Sequence, residues 1–312
     1  MKLFLSKPRG FCAGVERAIK TVEEALCLFG APIYVKHQIV HNKHVTEGLE
    51  KRGVIFVEDL NEVPIGERII YSAHGVSPTV RALAKKRNLT EIDASCGLVI
   101  RVHSAVKRFA NKGYKVILIG HKNHVEVIGT VGQAPGSTTV IESVEDVQTL
   151  SFSSKEKLFY ITQTTLSIDD VKEIARALKS KFPNIETLPT SSICYATTNR
   201  QQALNNIIKD MDLVLVVGDP TSSNSNRLRE LAINRGVSSY LINDPHEIDP
   251  LWFKHVQYIA LTAGASTPES VVQNCITILK TLGVQSVEEV VFTEEDVLFQ
   301  LPKQVVSDNS RL

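Results

Sequence analysis

The chain has 312 residues, of which 43% are hydrophobic, and a formal net charge of +1. That length and apolar content support a substantial core in one to three domains, and the near-neutral balance gives no global drive toward nucleic acid or an anionic membrane surface. No apolar run reaches the ~18 residues of a membrane span, nothing at the N-terminus resembles a signal peptide, and five widely spaced cysteines do not form a disulfide framework, so a reducing cytoplasm is the expected compartment.

In chain order, the run Lys2 to Ser6 predicts a strand, Cys12 follows it, and a helical pattern begins at Gly14. A strand over Pro32 to Lys36 leads to His41-Asn42-Lys43-His44 and a helix ending Arg52-Gly53-Val54. The polar turn Ala73-His74-Gly75-Val76-Ser77-Pro78 then opens another helix. The strand Leu89 to Asp93 delivers Cys96, and a helix is predicted over Val99 to Ala110. The strand Val116 to Ile119 is followed by His121-Lys122-Asn123-His124, and later by the turn Thr162-Gln163-Thr164-Thr165-Leu166-Ser167. The strand Ile185 to Leu188 delivers Cys194, with a helix predicted over Thr198 to Asp210. The strand Leu213 to Val217 leads to Ser222-Ser223-Asn224-Ser225-Asn226 and a helix ending Arg235-Gly236-Val237. A last turn is Ala263-Gly264-Ala265-Ser266-Thr267-Pro268.

Short β-rich runs alternating with amphipathic helices imply an α/β fold with parallel sheets. The order of motifs repeats three times. Cys12, Cys96 and Cys194 precede His41, His124 and Ser222 by 29, 28 and 28 residues. Three similar α/β lobes are expected, over 1–96, 97–193 and 194–285, with a C-terminal tail over 286–312 whose last ten residues are expected to be mobile. The order of strands within each sheet is not fixed by this pattern.

Ligands of open α/β sheets gather at the carboxyl ends of the strands, where all three cysteines and all the polar turns fall. A cysteine at a helix N-terminus meets unpaired N–H groups and a positive dipole end, which favour the metal-binding thiolate. Ordinary buried thiols are the alternative, and the repeated position argues against it. Zinc would want a fourth Cys or His, whereas an iron–sulfur cluster on three thiolates keeps one iron open to a substrate oxygen. Cys27 and Cys275 read as core residues.

His41, His74 and His124, with Ser222, Ser223, Asn224 and Ser266 in the third lobe, suggest an anion site of the phosphate type; helix capping is the alternative for the serine run. Glu126 follows His124 by two residues. On an extended segment the two side chains would share a side and could relay a proton, the alternative being an exposed loop carboxylate. His37, His44, His103, His121, His246 and His255 read as structural or surface.

Seven segments carry a resemblance when taken together and in order. They are Gly10-Phe11-Cys12-Ala13-Gly14-Val15, Ile39-Val40-His41-Asn42, the turns around His74, Thr164 and Ser266, Ile193-Cys194-Tyr195-Ala196-Thr197-Thr198-Asn199-Arg200-Gln201, and Ser222 to Leu228. Over about residues 1 to 302 the chain resembles the 4-hydroxy-3-methylbut-2-enyl diphosphate reductase (LytB/IspH) family. The resemblance implies a three-lobed trefoil around a central 4Fe-4S cluster, one per chain, held by Cys12, Cys96 and Cys194 with one iron open. It implies reductive dehydroxylation to isopentenyl and dimethylallyl diphosphate, the last step of the methylerythritol phosphate route, fed by a ferredoxin or flavodoxin-type donor.

By position, His41, His74, His124, Ser222, Ser223, Asn224 and Ser266 resemble the diphosphate ligands, Thr164 the hydroxyl that positions the substrate alcohol, and Glu126 the proton source. Protonated His41 or His74 would strengthen diphosphate binding, so affinity is expected to fall between about pH 5 and pH 8. Gly97 stands where the family usually has Pro, and Ile128 where it commonly has a second Glu. An iron–sulfur sensor without turnover and a three-thiolate zinc hydrolase are the rival readings.

Overall fold

Strand order carries the repeat into three dimensions. The computed structural model describes residues 1–306. The first elements are β1 (Lys2–Lys7), α1 (Ala13–Phe29), β2 (Ile33–Lys36), α2 (Lys43–Glu50), β3 (Val54–Val57), β4 (Arg68–Tyr71), α3 (Pro78–Lys86) and β5 (Thr90–Asp93). Then come α4 (Gly97–Asn111), β6 (Tyr114–Ile119), α5 (Val125–Val131), β7 (Thr138–Ile141), α6 (Val144–Thr149), β8 (Lys157–Thr162), α7 (Ile168–Lys181) and β9 (Glu186–Thr187). The remainder is α8 (Tyr195–Ile207), β10 (Leu213–Val217), α9 (Ser223–Asn234), β11 (Ser238–Ile242), β12 (Tyr258–Ala263), α10 (Glu269–Thr281) and β13 (Ser286–Val291).

Three parallel sheets result, with orders β3-β2-β4-β5, β7-β6-β8-β9 and β11-β10-β12-β1-β13. In each, the strand before a cysteine pairs with the strand before a polar turn: β5 with β4, β9 with β8, β1 with β12. The expected first boundary is therefore corrected, because β1 belongs to the third sheet. Leu3 pairs with Ile259 and Leu5 with Leu261, and both leucines are buried in the core beneath α10. An apolar strand of this kind needs neighbours on both edges, and β13 supplies the second. The expected tail thus begins with a strand. Of its last ten residues, Lys303–Val305 form a 3-10 turn with Val305 buried, and residues 307–312 lie outside the described residues.

The chain divides into two compact units. One, Met1–Ala13 with His41–Glu47 and Cys194–Leu298, contains the third sheet. There β10 is Leu-Val-Leu-Val-Val and wholly buried. Leu213, Leu215 and Val217 meet Val272 and Leu279 of α10 on one face. Val214 and Val216 meet Leu204 of α8 and Leu228 of α9 on the other. A strand covered on both faces reads as a continuous apolar run, as parallel sheets require. The other unit, Gly14–Val40, Gly48–Ile193 and Phe299–Leu312, holds the other two sheets. In β8 alternation sorts the faces: Leu158 and Tyr160 pack toward α7, Phe159 and Ile161 toward α4. Both units thus fix their strand ends rigidly, and the candidate residues stand on those ends.

Candidate functional site

In the larger unit, His74 follows the buried end of β4, and its Nδ1 lies 3.2 Å from Ser72 Oγ. The His74 ring meets His124 edge-on at 6.1 Å and His37 at 5.7 Å. His37 read as structural from sequence, yet it stands in the same row of imidazoles. The available signal was its place at the end of β2. Its Nδ1 is 2.6 Å from Glu58 Oε1.

Glu126 lies in the first turn of α5, capped by His124, whose Nδ1 accepts the Glu126 backbone N–H at 3.2 Å. An accepting Nδ1 places the neutral ring's proton on Nε2. This corrects the expected extended segment: two residues apart on a helix, the side chains diverge, and the carboxyl turns inward instead. Glu126 is only 3% exposed. Its carboxylate accepts from Thr164 N–H at 2.7 Å and from Thr164 Oγ1 at 2.9 Å. Burial raises the Glu126 pKa to about 7, against the two Thr164 bonds, which pull it down. A carboxyl titrating near neutrality against a buried hydroxyl is suited to passing protons. Gln163 braces the neighbouring turns, accepting from His121 N–H at 3.1 Å and donating to Thr165 Oγ1 at 3.0 Å.

In the smaller unit, Cys12 N–H donates to Ala265 O at 3.2 Å, and Ser266 Oγ donates to His41 O at 2.9 Å. Ser222 caps α9, accepting from Ser225 N–H at 3.4 Å, so capping and any anion contact share one run. Asn224 is 4% exposed, and neither atom of its amide has a hydrogen-bond partner among the described residues. A buried amide left so is expected where a ligand completes it. Ser225, missed from sequence, is fully buried and wedged against Gly218 and Gly264, whose Cβ atoms would collide with its Oγ. The Ser-Ser-Asn-Ser-Asn run gave no sign of which serine points inward.

Cys12, Cys96 and Cys194 are all half-buried. Cys96 and Cys194 are N-caps of α4 and α8, and Cys12 immediately precedes α1. Cys194 Sγ accepts Thr197 N–H at 3.3 Å. Tyr195 Oη accepts Ala13 N–H at 3.3 Å, which joins the Cys12 and Cys194 turns. Cys275 is buried at the core with its thiol pushed up to about 12, chiefly by burial. Cys27 is exposed, correcting the core expectation. The buried stripe of α1 is Gly14, Val15, Ala18, Thr21, Val22 and Ala25, and residue 27 falls on the opposite side.

A family model described as LytB protein matches residues 3–280. The chain belongs to the LytB family. The 4-hydroxy-3-methylbut-2-enyl diphosphate reductase of Protochlamydia amoebophila is 69% identical over 307 residues, covering 98% of both chains. That of Chlamydia pneumoniae is 62% identical over 97% of this chain and 98% of its own. The structure of the E-1-hydroxy-2-methyl-but-2-enyl-4-diphosphate reductase from Plasmodium falciparum superposes with a TM-score of 0.96 at 52% identity, over 97% of this chain and 96% of that one.

LytB-family proteins are iron–sulfur enzymes. The donors here fit such a group: three half-buried thiols at the starts of helices are soft ligands favoured as thiolates. Of the two departures from the usual LytB sequence, Gly97 is packed by Phe299, whose Cε1 would lie 2.9 Å from a Cβ at that position. Ile128 is 58% exposed on α5. No helix among the described residues is long and apolar enough to cross a membrane.

Proposed function

We propose that this chain reduces 4-hydroxy-3-methylbut-2-enyl diphosphate to isopentenyl and dimethylallyl diphosphate, with Cys12, Cys96 and Cys194 holding a 4Fe-4S cluster. The carrying observation is the buried Glu126–Thr164 pair, which a binding module has no need of. When bound, a three-thiolate cluster supplies electrons and an iron open to an oxygen ligand. His41, His74, His124, Ser222, Ser223, Asn224 and Ser266 take the diphosphate, and the buried amide of Asn224 gains the acceptor it lacks. His124 offers Nε2–H as a donor, because its Nδ1 is already an acceptor.

Thr164 orients the allylic alcohol, and Glu126 holds the proton that leaves with it. With a carboxyl titrating near pH 7, Glu126 is protonated in a large share of molecules at neutral pH. It can hand its proton across the 2.9 Å bond while Thr164 passes on its own. Breaking the C–O bond consumes two electrons and two protons: one oxygen leaves as water, and one new C–H bond forms. A ferredoxin or flavodoxin-type protein in the cytoplasm is the proposed electron source.

The test is anaerobic purification, iron and sulfide per chain, and turnover with reduced viologen. About four irons and four sulfides with formation of both products is the expected result. A full cluster that binds the substrate without consuming it would replace the enzyme with a sensor. Stoichiometric zinc without sulfide would replace it with a hydrolase.

A further inference from the structure

The helix after each of the three cysteines carries an arginine at nearly the same distance: Arg17, Arg101 and Arg200 lie 5, 5 and 6 residues beyond Cys12, Cys96 and Cys194. Arg17 and Arg101 reach the turn of the next cysteine, and Arg200 does so while also donating to Ala196 O of its own helix at 3.0 Å. Arg17 on α1 donates from Nη1 to Ser95 O at 2.9 Å and from Nη2 to Asp93 O at 3.1 Å, the carbonyls just before Cys96. Its Nε donates to Gln300 O at 2.7 Å. Arg101 on α4 reaches the hydroxyl of Thr190, four residues before Cys194. Arg200 on α8 donates to Gly10 O at 2.7 Å and to Phe11 O at 3.3 Å, the carbonyls just before Cys12.

We propose that these arginines form a cyclic clasp, in which the helix following each ligand holds the turn that presents the next one. Backbone bonds tie the N–H side of these turns, Cys12 to Ala265 O and Cys96 to Ala73 O, and the arginines take up carbonyls on the other side. A guanidinium offers five donors in a rigid planar fork and holds several such carbonyls in one fixed geometry, whereas an ammonium is a rotatable point charge. The buried charge is answered locally. Arg200, fully buried, is paired with Glu295 at 3.1 Å. Arg17 is surrounded by three carbonyl oxygens, and burial lowers its pKa against the Asp93 carboxylate, which favours its charge. The three grips are unequal. Arg200 is enclosed and Arg17 half-buried, whereas the Arg101 contact is a single exposed one to a side chain. These are positioning residues, and the preset turns keep the thiols in place while the cluster is loaded and reduced.

The proposal rests on the reading of the cysteines as cluster ligands. It is tested by hydrogen exchange, read by mass spectrometry on the anaerobic full-length protein, for turns 9–12, 93–96 and 190–194. Arg17→Gln should quicken exchange about tenfold in 93–96 alone, the loss of a charged donor to a carbonyl. Arg200→Gln should do the same in 9–12, and Arg101→Gln should give the smallest change, in 190–194. Arg17→Lys, which keeps the charge but not the fork, should fail to restore the turn. It should also shift the electron paramagnetic resonance signal of the reduced cluster. If Arg200 variants do not fold, Glu295→Gln keeps the arginine and should loosen 9–12 more mildly. Faster exchange spread equally over all turns, a change confined to the arginine's own turn, or no change in any variant would overturn the clasp. Iron and sulfide counts on the unaltered protein judge the ligand reading separately.

Discussion

Replacing Glu126 by Gln should separate stability from chemistry in a pH-dependent way. The carboxyl has its ordinary value of 4.5 in the unfolded chain and about 7 when folded. Below pH 4.5 it is protonated in both states and costs nothing. Between 4.5 and 7 the unfolded chain releases the proton while the folded chain keeps it, so stability falls as pH rises. Above 7 the full penalty of an ionised buried carboxylate is present. At about 1.4 kcal/mol per pH unit, the whole effect is about 3 kcal/mol. Gln has the same shape, can accept Thr164 N–H and donate to Thr164 Oγ1, and does not titrate. The stability of Glu126→Gln relative to the unaltered protein should therefore rise by about 3 kcal/mol between pH 4.5 and pH 8. Urea unfolding of both proteins across that range, without oxygen, measures it. Turnover should meanwhile fall by at least about a hundredfold with the cluster retained. Two stability curves that run parallel across the range would refute the assignment of a raised pKa.

Thr164→Val should lower kcat about a hundredfold and, by removing one bond that stabilises the carboxylate, move the Glu126 limb of the pH–rate profile upward; an unmoved limb would count against the coupling. Asn224→Ala should raise the KM for the diphosphate substrate about tenfold, with a smaller effect on kcat. Gly97→Ala should cost about 1–3 kcal/mol through collision with the Phe299 ring, and Phe299→Ala should relieve most of that in the double variant; additive losses in denaturation would show that the two do not touch. Serine at position 12, 96 or 194 should abolish stoichiometric iron, whereas Cys27→Ser should leave the iron content unchanged.

The sequence made the repeat visible because each lobe spells the same order of strand, cysteine, helix, strand and polar turn. The β10 span agrees to the residue, since five apolar residues end abruptly at Gly218. The short β9 was overestimated, because only Glu186 and Thr187 find ladder partners. What could not be read was pairing. Nothing in Lys2 to Lys7 says that it joins β12 rather than β2, since parallel partners are chosen by long-range packing. Similarly, the two-residue spacing of His124 and Glu126 fits a strand or a helix start, and only the cap on His124 decides between them. The inward turn of Ser225 depended on two positions empty of side chain, the nearby Gly218 and Gly264, which is remote in sequence.

The place of β1 has a consequence for biogenesis. Leu3 must wait for Ile259 before its strand has a partner on that side. At roughly 5–20 residues per second, that interval is about 13–50 s of synthesis. Throughout it, an apolar segment with open edges trails from the ribosome while the two intervening sheets can already close. Until β12 is made, β1 is thus a segment of the nascent chain exposed to aggregation.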